Sequence, residues 1–273
     1  MMNNLLRILL VVACCLSGPG YAHPGHESRL EQINALIKDN PGEQTVYILR
    51  ATEYSRMGEW DLADRDFNTA ANLGDASALW FEQGRHQYRQ GHFEVAYQLF
   101  NRYSLQHPND ANGLLYQARS AAQLQQWQRA FTKYRQHFNV NKNAHPGDYL
   151  SAAQLLASHH DDGIEQALQL LDQGLRELGN GSHLQRFAVE LELRRGEVQK
   201  AIQRWRDLQP MLGESPAWKV DMAKLLLADS NNREADLLLA QADSQLQALR
   251  ITPARIELLN NIKTLREQAE HTL

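Results

Sequence analysis

Two short stretches of this 273-residue chain carry side chains suited to metal ions. One is His159-His160-Asp161-Asp162, a run of nitrogen and oxygen donors of the kind that hold zinc and similar ions. Neighbouring residues on a helix point about 100° apart, a poor geometry for a chelate. The run also falls where a helical hairpin is expected to turn, so it reads as a polar turn. The other stretch is His23-Pro24-Gly25-His26-Glu27. If His23 is a free N-terminus, its amine and imidazole form a candidate copper or nickel chelate, with His26 as a third nitrogen. Otherwise the stretch is a polar tail. Acidic pairs such as Asp64 and Asp66 recur along the chain and read as solvated helix faces. No G-x-S-x-G, H-E-x-x-H, Walker or G-x-G-x-x-G pattern is present. The expectation is a protein that is not an enzyme and uses no cofactor.

Whether His23 is ever an N-terminus depends on the leader. Residues 1–22 read as a secretory signal peptide. Arg7 supplies the positive charge, Ile8 to Leu16 form an unbroken apolar run, and Gly18, Pro19 and Gly20 break it. Small residues at Gly20 and Ala22 suit a cut after Ala22. A rival reading is a lipobox, Val11-Val12-Ala13-Cys14, which would make Cys14 a lipidated anchor in the envelope. Spanning a bilayer takes about 20 apolar residues, and no stretch of the chain reaches that, so no transmembrane span is expected. Both cysteines, Cys14 and Cys15, lie in the leader. The rest of the chain therefore has neither a disulfide framework nor a cysteine zinc site, which is compatible with an oxidising compartment such as the bacterial periplasm. A formal net charge of -4 argues against nucleic-acid binding through a bulk basic surface.

The elements that position these residues repeat. Ala63, Ala96, Ala130, Ala167, Ala201 and Ala235 recur at intervals of 33, 34, 37, 34 and 34 residues. Around them, one unit reads Trp80, Gly84, Gly91, Ala96, Phe100 and Pro108, and the unit before it Tyr47, Ala51, Tyr54, Gly58, Ala63, Phe67 and Ala70. A third has Leu114, Ala118, Ala121, Ala130 and Tyr134, and three further units keep mainly the spacing. This pattern resembles the tetratricopeptide repeat, W-x2-L-G-x2-Y, A-x3-F and P over 34 residues, with Gln83 and Gln87 departing from it. The resemblance implies an all-α fold: a right-handed α-α superhelix, or solenoid, of about six helical hairpins with terminal helices. Residues 23–43 would form a polar histidine-containing N-terminus and a leading helix opened by a Ser28-x-x-Glu31 capping box. Residues 44–250 would form the array, weaker after about 145, and 251–273 a capping helix. Pro41, Pro108, Pro146, Pro210, Pro216 and Pro253 all fall at expected junctions, as they must in a helical chain. The 37-residue interval marks an insertion, and the polar stretch from Asn139 to Gly147 is where a loop is expected.

The resemblance also implies a concave groove lined by the first helix of each repeat, which binds protein or peptide segments. Its groove positions select Thr45, Ile48, Thr52 and Arg56, then Phe81, Arg85, Tyr88 and Arg89. They go on to Asn112, Leu115, Arg119 and Gln123, and to Tyr149, Leu156, His159, His183, Arg186, Glu190 and Arg194. Six of these are arginines against one acid, Glu190. A guanidinium fork suits carboxylates, and arginine and aromatic side chains dominate interface hot spots. The expected partner is therefore a protein or peptide segment that is acidic or ends in a carboxylate. The Lys/Asn carboxylate clamp of chaperone-binding relatives is not matched, because Ile48 and Thr52 stand at its first-repeat positions. The functional expectation is an exported scaffold or adaptor in the bacterial periplasm. Metal handling through His23 and His26, or an envelope lipoprotein anchored at Cys14, stand as alternatives.

Overall fold

The computed structural model describes residues 24–159, 162–179, 181–213 and 215–271, with 24–27 and 270–271 described by their backbone alone. The leader, Cys14 and His23 lie outside the described residues, as do His160 and Asp161 and the side chain of His26. The described residues form fifteen α-helices and one short 3-10 turn, with no strand. They divide into two compact units, one up to Gly91 and one from His92 onward.

The first unit holds α1 (Pro24–Asp39), α2 (Gln44–Met57), α3 (Trp60–Leu73), a 3-10 turn (Ala76–Leu79) and α4 (Trp80–Arg89). α1 begins at Pro24, a turn ahead of Ser28, so the capping box expected at Ser28 is not the helix start. Proline at the first helical position needs no donor, and that is where this helix opens. The core joins Ala51, Ala63, Phe67, Ala70 and Leu79, with Tyr47, Ile48 and Tyr54 against it. Ala51 and Ala63 have no exposed surface. Their small side chains let α2 and α3 approach closely, and the Phe67 ring fills the space beyond. Glu53 is buried on the inner side of α2 and is held by Arg29 at 2.8 Å and Arg56 at 2.5 Å. Two guanidinium partners offset the desolvation that a buried carboxylate suffers.

The second unit holds α5 (Phe93–Gln106), α6 (Ala111–Gln123), α7 (Trp127–Val140), α8 (Pro146–His159), α9 (Gly163–Leu178) and α10 (Ser182–Arg194). It continues with α11 (Val198–Arg206), the single turn α12 (Gln209–Leu212), α13 (Pro216–Ala228), α14 (Asn232–Gln247) and α15 (Pro253–His271). Ala96, Ala130, Ala167, Ala201 and Ala235 are all without exposed surface. One apolar cluster runs from Leu115 and Ala118 through Tyr134, Phe138, Tyr149 and Leu171 to Leu184 and Leu191. It passes across the loop at residues 141–145, so packing continues there without a break. A second cluster joins α10 to α15, from Val189 to Ile262. Within it the Trp205 indole donates to the Trp218 carbonyl at 3.2 Å and the Trp218 indole to the Trp205 carbonyl at 3.0 Å. That reciprocal pair ties α11 to α13 across α12.

The prolines behave as the sequence requires. Pro146, Pro216 and Pro253 open α8, α13 and α15, Pro210 sits in the first turn of α12, and Pro41 and Pro108 lie between helices. Thr252 caps α15 through its hydroxyl, which accepts from the Arg255 amide at 3.4 Å. Ser215 occupies the cap position of α13 without a side-chain cap bond.

Candidate functional site

The residues expected to line a groove sit on α2 and α4 in the first unit and on α6, α8 and α10 in the second. On α2, Arg56 pairs with buried Glu53. Thr52 turns back to the Ile48 carbonyl at 2.8 Å and reaches Glu82 of α4 at 3.4 Å. On α4, the Arg85 guanidinium lies 5.8 Å from the Phe81 ring centroid and donates to Glu82 at 3.0 Å. Arg89 donates to the Ser55 hydroxyl at 3.0 Å and so links α4 to α2. Tyr88 is half-buried beside them. Phe81, Arg85, Tyr88 and Arg89 thus form one aromatic and cationic patch on a single helix.

In the second unit, α6 presents Asn112, Arg119 and Gln123, while Leu115 is mostly buried. Arg119 lies over the Tyr116 ring at 5.6 Å and donates to Asp148 of α8 at 2.8 Å. Burial works against its charge, but the Asp148 carboxylate outweighs that and keeps it firmly protonated. On α10, His183, Arg186, Glu190 and Arg194 are exposed in one stripe. Arg186 lies 4.8 Å from the Trp205 ring and 3.8 Å from Asp221 of α13. Arg194 reaches the Ala157 carbonyl of α8 at 3.3 Å.

α8 departs from the expected register. Tyr149 and Leu156 have no exposed surface and belong to the core rather than to a binding face. Tyr149 stacks on Phe138 at 4.1 Å, and its hydroxyl donates to Glu177 at 2.5 Å. The cause is a shift of two residues. Counting back from Ala63, Ala130, Ala201 and Ala235 gives the observed starts of α2, α6, α10 and α13. The same count from Ala167 gives 148, whereas α8 begins at Pro146. Part of the insertion therefore lies between α8 and α9, after the groove positions. Exposed Ser151, Gln154 and Ser158 take up the outward stripe of α8. His159 stacks on Trp127 at 4.0 Å, which gives it a packing role.

The sequence count of groove charges omitted their counter-ions. Glu53 and Glu82 stand three residues before Arg56 and Arg85, and Asp148 and Asp221 lie on the next first helix. The i−3 spacing was the signal for the first two. The other pairs need the register of neighbouring repeats. Among the described residues no group of three or more histidine, aspartate and glutamate side chains is placed to hold a metal ion. None of the described helices is long and apolar enough to cross a membrane.

No protein-family model matches the chain, and no curated protein matches its sequence. Solved structures do match. The C-terminal part of a TPR repeat-containing protein from Cytophaga hutchinsonii aligns with a TM-score of 0.65 at 14% identity, covering 86% of this chain and 95% of that one. The fold is that of the tetratricopeptide-repeat proteins. PilW, a type IV pilus biogenesis factor, gives a TM-score of 0.56 at 14% identity, covering 69% of this chain and 86% of its own. YrrB, a tetratricopeptide-repeat protein with an unusual peptide-binding site, gives 0.53 at 17%, covering 67% and 95%. The alanine positions that mark the repeat in sequence are thus the positions where paired helices of this fold meet.

Proposed function

We propose that the protein is an exported, non-catalytic scaffold that holds an extended protein or peptide segment against the first helices of its repeats, with the segment's acidic side chains toward α4. The patch of Phe81, Arg85, Tyr88 and Arg89 carries this reading. It combines aromatic surface with guanidinium groups already fixed in place by Glu82 and Ser55, so little side-chain freedom is lost on binding. Arg85 is matched by Glu82, as Arg56, Arg119 and Arg186 are by acids of the same or the next helix, so the acidic character of the partner rests on the excess of arginine among the groove positions. The peptide-binding site of YrrB supports peptide capture as a use of this fold, and the pilus role of PilW supports a place in the envelope. The residue 1–22 pattern supports export, with the lipidated Cys14 start as its rival. The array from 44 to 250 and the final helix after 251 are the proposed extent of the scaffold and its cap.

A double substitution, Arg85→Glu with Arg89→Glu, tests the proposal. In cells of the native host, a photo-crosslinker placed at Tyr88 should trap a discrete partner, and the double variant should lose it while its far-ultraviolet circular dichroism stays unchanged. An undiminished crosslink in the double variant would exclude this patch as the main contact.

A further inference from the structure

The charge of the chain is unevenly placed. From Phe93 to Gly147 the sequence carries six arginines and lysines and two acids, Glu94 and Asp110, in a protein whose net charge is -4. This segment builds α5, α6 and α7, and α7 itself has Arg129, Lys133 and Arg135 with no acid at all. Asp110 is committed as the cap of α6, accepting from the Gly113 amide at 2.7 Å. Arg119 is taken by Asp148, and Lys142 lies 3.8 Å from Glu177. Lys133 has no such partner, for it forms no ion pair with a described carboxylate. It is half-buried, and burial first, then the nearby Arg129 charge, lowers its ammonium below the ordinary lysine value.

Lys133 lines a cleft of about 420 Å³ between the C-terminal halves of α5 and α7 and the loop leading into α6. Clefts of roughly 300–1,000 Å³ suit small molecules and side-chain-sized ligands. Asn109, Gln136 and Asn139 also line it, and their side-chain amides make no hydrogen bond to a described residue. Leu105, 77% exposed, and Val140, 41% exposed, supply apolar walls. Such a cleft offers one cation without a counter-ion, amides that can both donate and accept, and aliphatic surface. None of the residues lining this cleft belongs to the first-helix stripe described above.

We propose that the α5–α7 cleft is a second peptide-binding site, which takes an extended segment carrying a carboxylate beside an aliphatic side chain. Lys133 receives the carboxylate. Asn109, Gln136 and Asn139 match the donors and acceptors of the segment's backbone, and Leu105 and Val140 cover its aliphatic side chain. No aromatic ring lines the cleft as a platform for a sugar or a base, which favours a peptide over a glycan or a nucleotide. Binding restores to Lys133 the counter-ion that its burial calls for.

The test is nuclear magnetic resonance titration of the full chain with the blocked peptide acetyl-Gly-Leu-Asp-Leu-Gly-amide, its Asn-for-Asp twin, and sodium phosphate. The expected result is saturable shifts of the side-chain amides of Asn109, Gln136 and Asn139 with the aspartyl peptide, and binding at least tenfold weaker for the asparaginyl twin. Lys133→Gln, which keeps the aliphatic stem, should reduce affinity for the aspartyl peptide at least tenfold and leave that of the twin unchanged. Arg85→Glu with Arg89→Glu should leave this binding intact, which separates it from the α4 patch. Equal binding of the two peptides, saturation by phosphate with the same shifts, or no saturable shift at these amides would each overturn the proposal.

Discussion

Tyr149 shows how one side chain can be placed wrongly by counting and explained by packing. Its ring lies against Phe138 and beneath Gly174, where an added methyl group would come within 2.9 Å of the tyrosine ring. Its hydroxyl, buried with it, needs a partner and finds Glu177. Burial and that carboxylate both push the phenol well above its usual value. Burial alone would raise the Glu177 carboxyl, but hydrogen bonds from Tyr149 and Gln173 and the charges of Lys142 and Arg176 outweigh it and hold it low. A carboxyl group with a depressed folded value contributes stability that is present above its unfolded value and lost as the pH falls through the folded one. Tyr149→Phe should therefore lower the unfolding free energy at pH 7 by about 1–2 kcal/mol, toward the low end for a hydrogen bond to a charged group because Glu177 itself is partly exposed. The difference from the wild type should shrink below about pH 4, where Glu177 is protonated in the unfolded chain. Urea unfolding at pH 7 and pH 3 measures both. A difference that stays constant between the two pH values would show that the bond does not depend on the Glu177 charge.

At the scale of the hairpin, the turn from first to second helix repeats a backbone requirement. Gly58, Gly91 and Gly196 all take positive φ at this turn, between 76° and 82°. Gln125 and Ser230 stand at the same place in the α6–α7 and α13–α14 hairpins, at φ 58° and 60°. A residue with a Cβ atom is strained there by roughly 1 kcal/mol, a strain that glycine avoids. Gln125→Gly and Ser230→Gly should each raise the urea midpoint, by a stability gain of up to about 1 kcal/mol, although a glycine elsewhere in a helix weakens it. A lowered midpoint would mean that the two side chains contribute more at these turns than their backbone strain costs. The same turns show what the sequence made legible. Evenly spaced alanines revealed the hairpins because close helix approach admits few other residues, and prolines marked their ends because they cannot lie within a helix. The exposed stripe of α8 was not legible, because an insertion between α8 and α9 leaves the alanine of α9 in place while moving every first-helix position by two. The counter-ions of Arg119 and Arg186 were hidden for a related reason, since Asp148 and Asp221 come into range only once neighbouring repeats are stacked.

Across the described residues, stability rests on a core of alanines, leucines and aromatic rings renewed at each hairpin, and on arginines that tie one helix to another. Arg204 pairs with Asp172 at 2.6 Å and with Glu192 at 3.0 Å, and both acids keep its guanidinium charged despite its burial. Arg195 reaches Glu165, and Arg266 reaches Asp236. None of this uses a cysteine, since the two in the sequence stand at 14 and 15. A chain built this way should fold identically in reducing and oxidising surroundings, which is compatible with export. Purified after export from a bacterial host, it should have the same urea midpoint with and without dithiothreitol. Its mass should correspond to a start at His23, and it should leave the cell with the periplasmic fraction on osmotic shock. A thioether-linked diacylglycerol on Cys14, with the protein retained in the membrane fraction, would instead establish the lipobox reading. In that case His23 has no free amine, and the copper or nickel chelate that depends on it is lost, while the helical array and both proposed peptide surfaces stand unchanged.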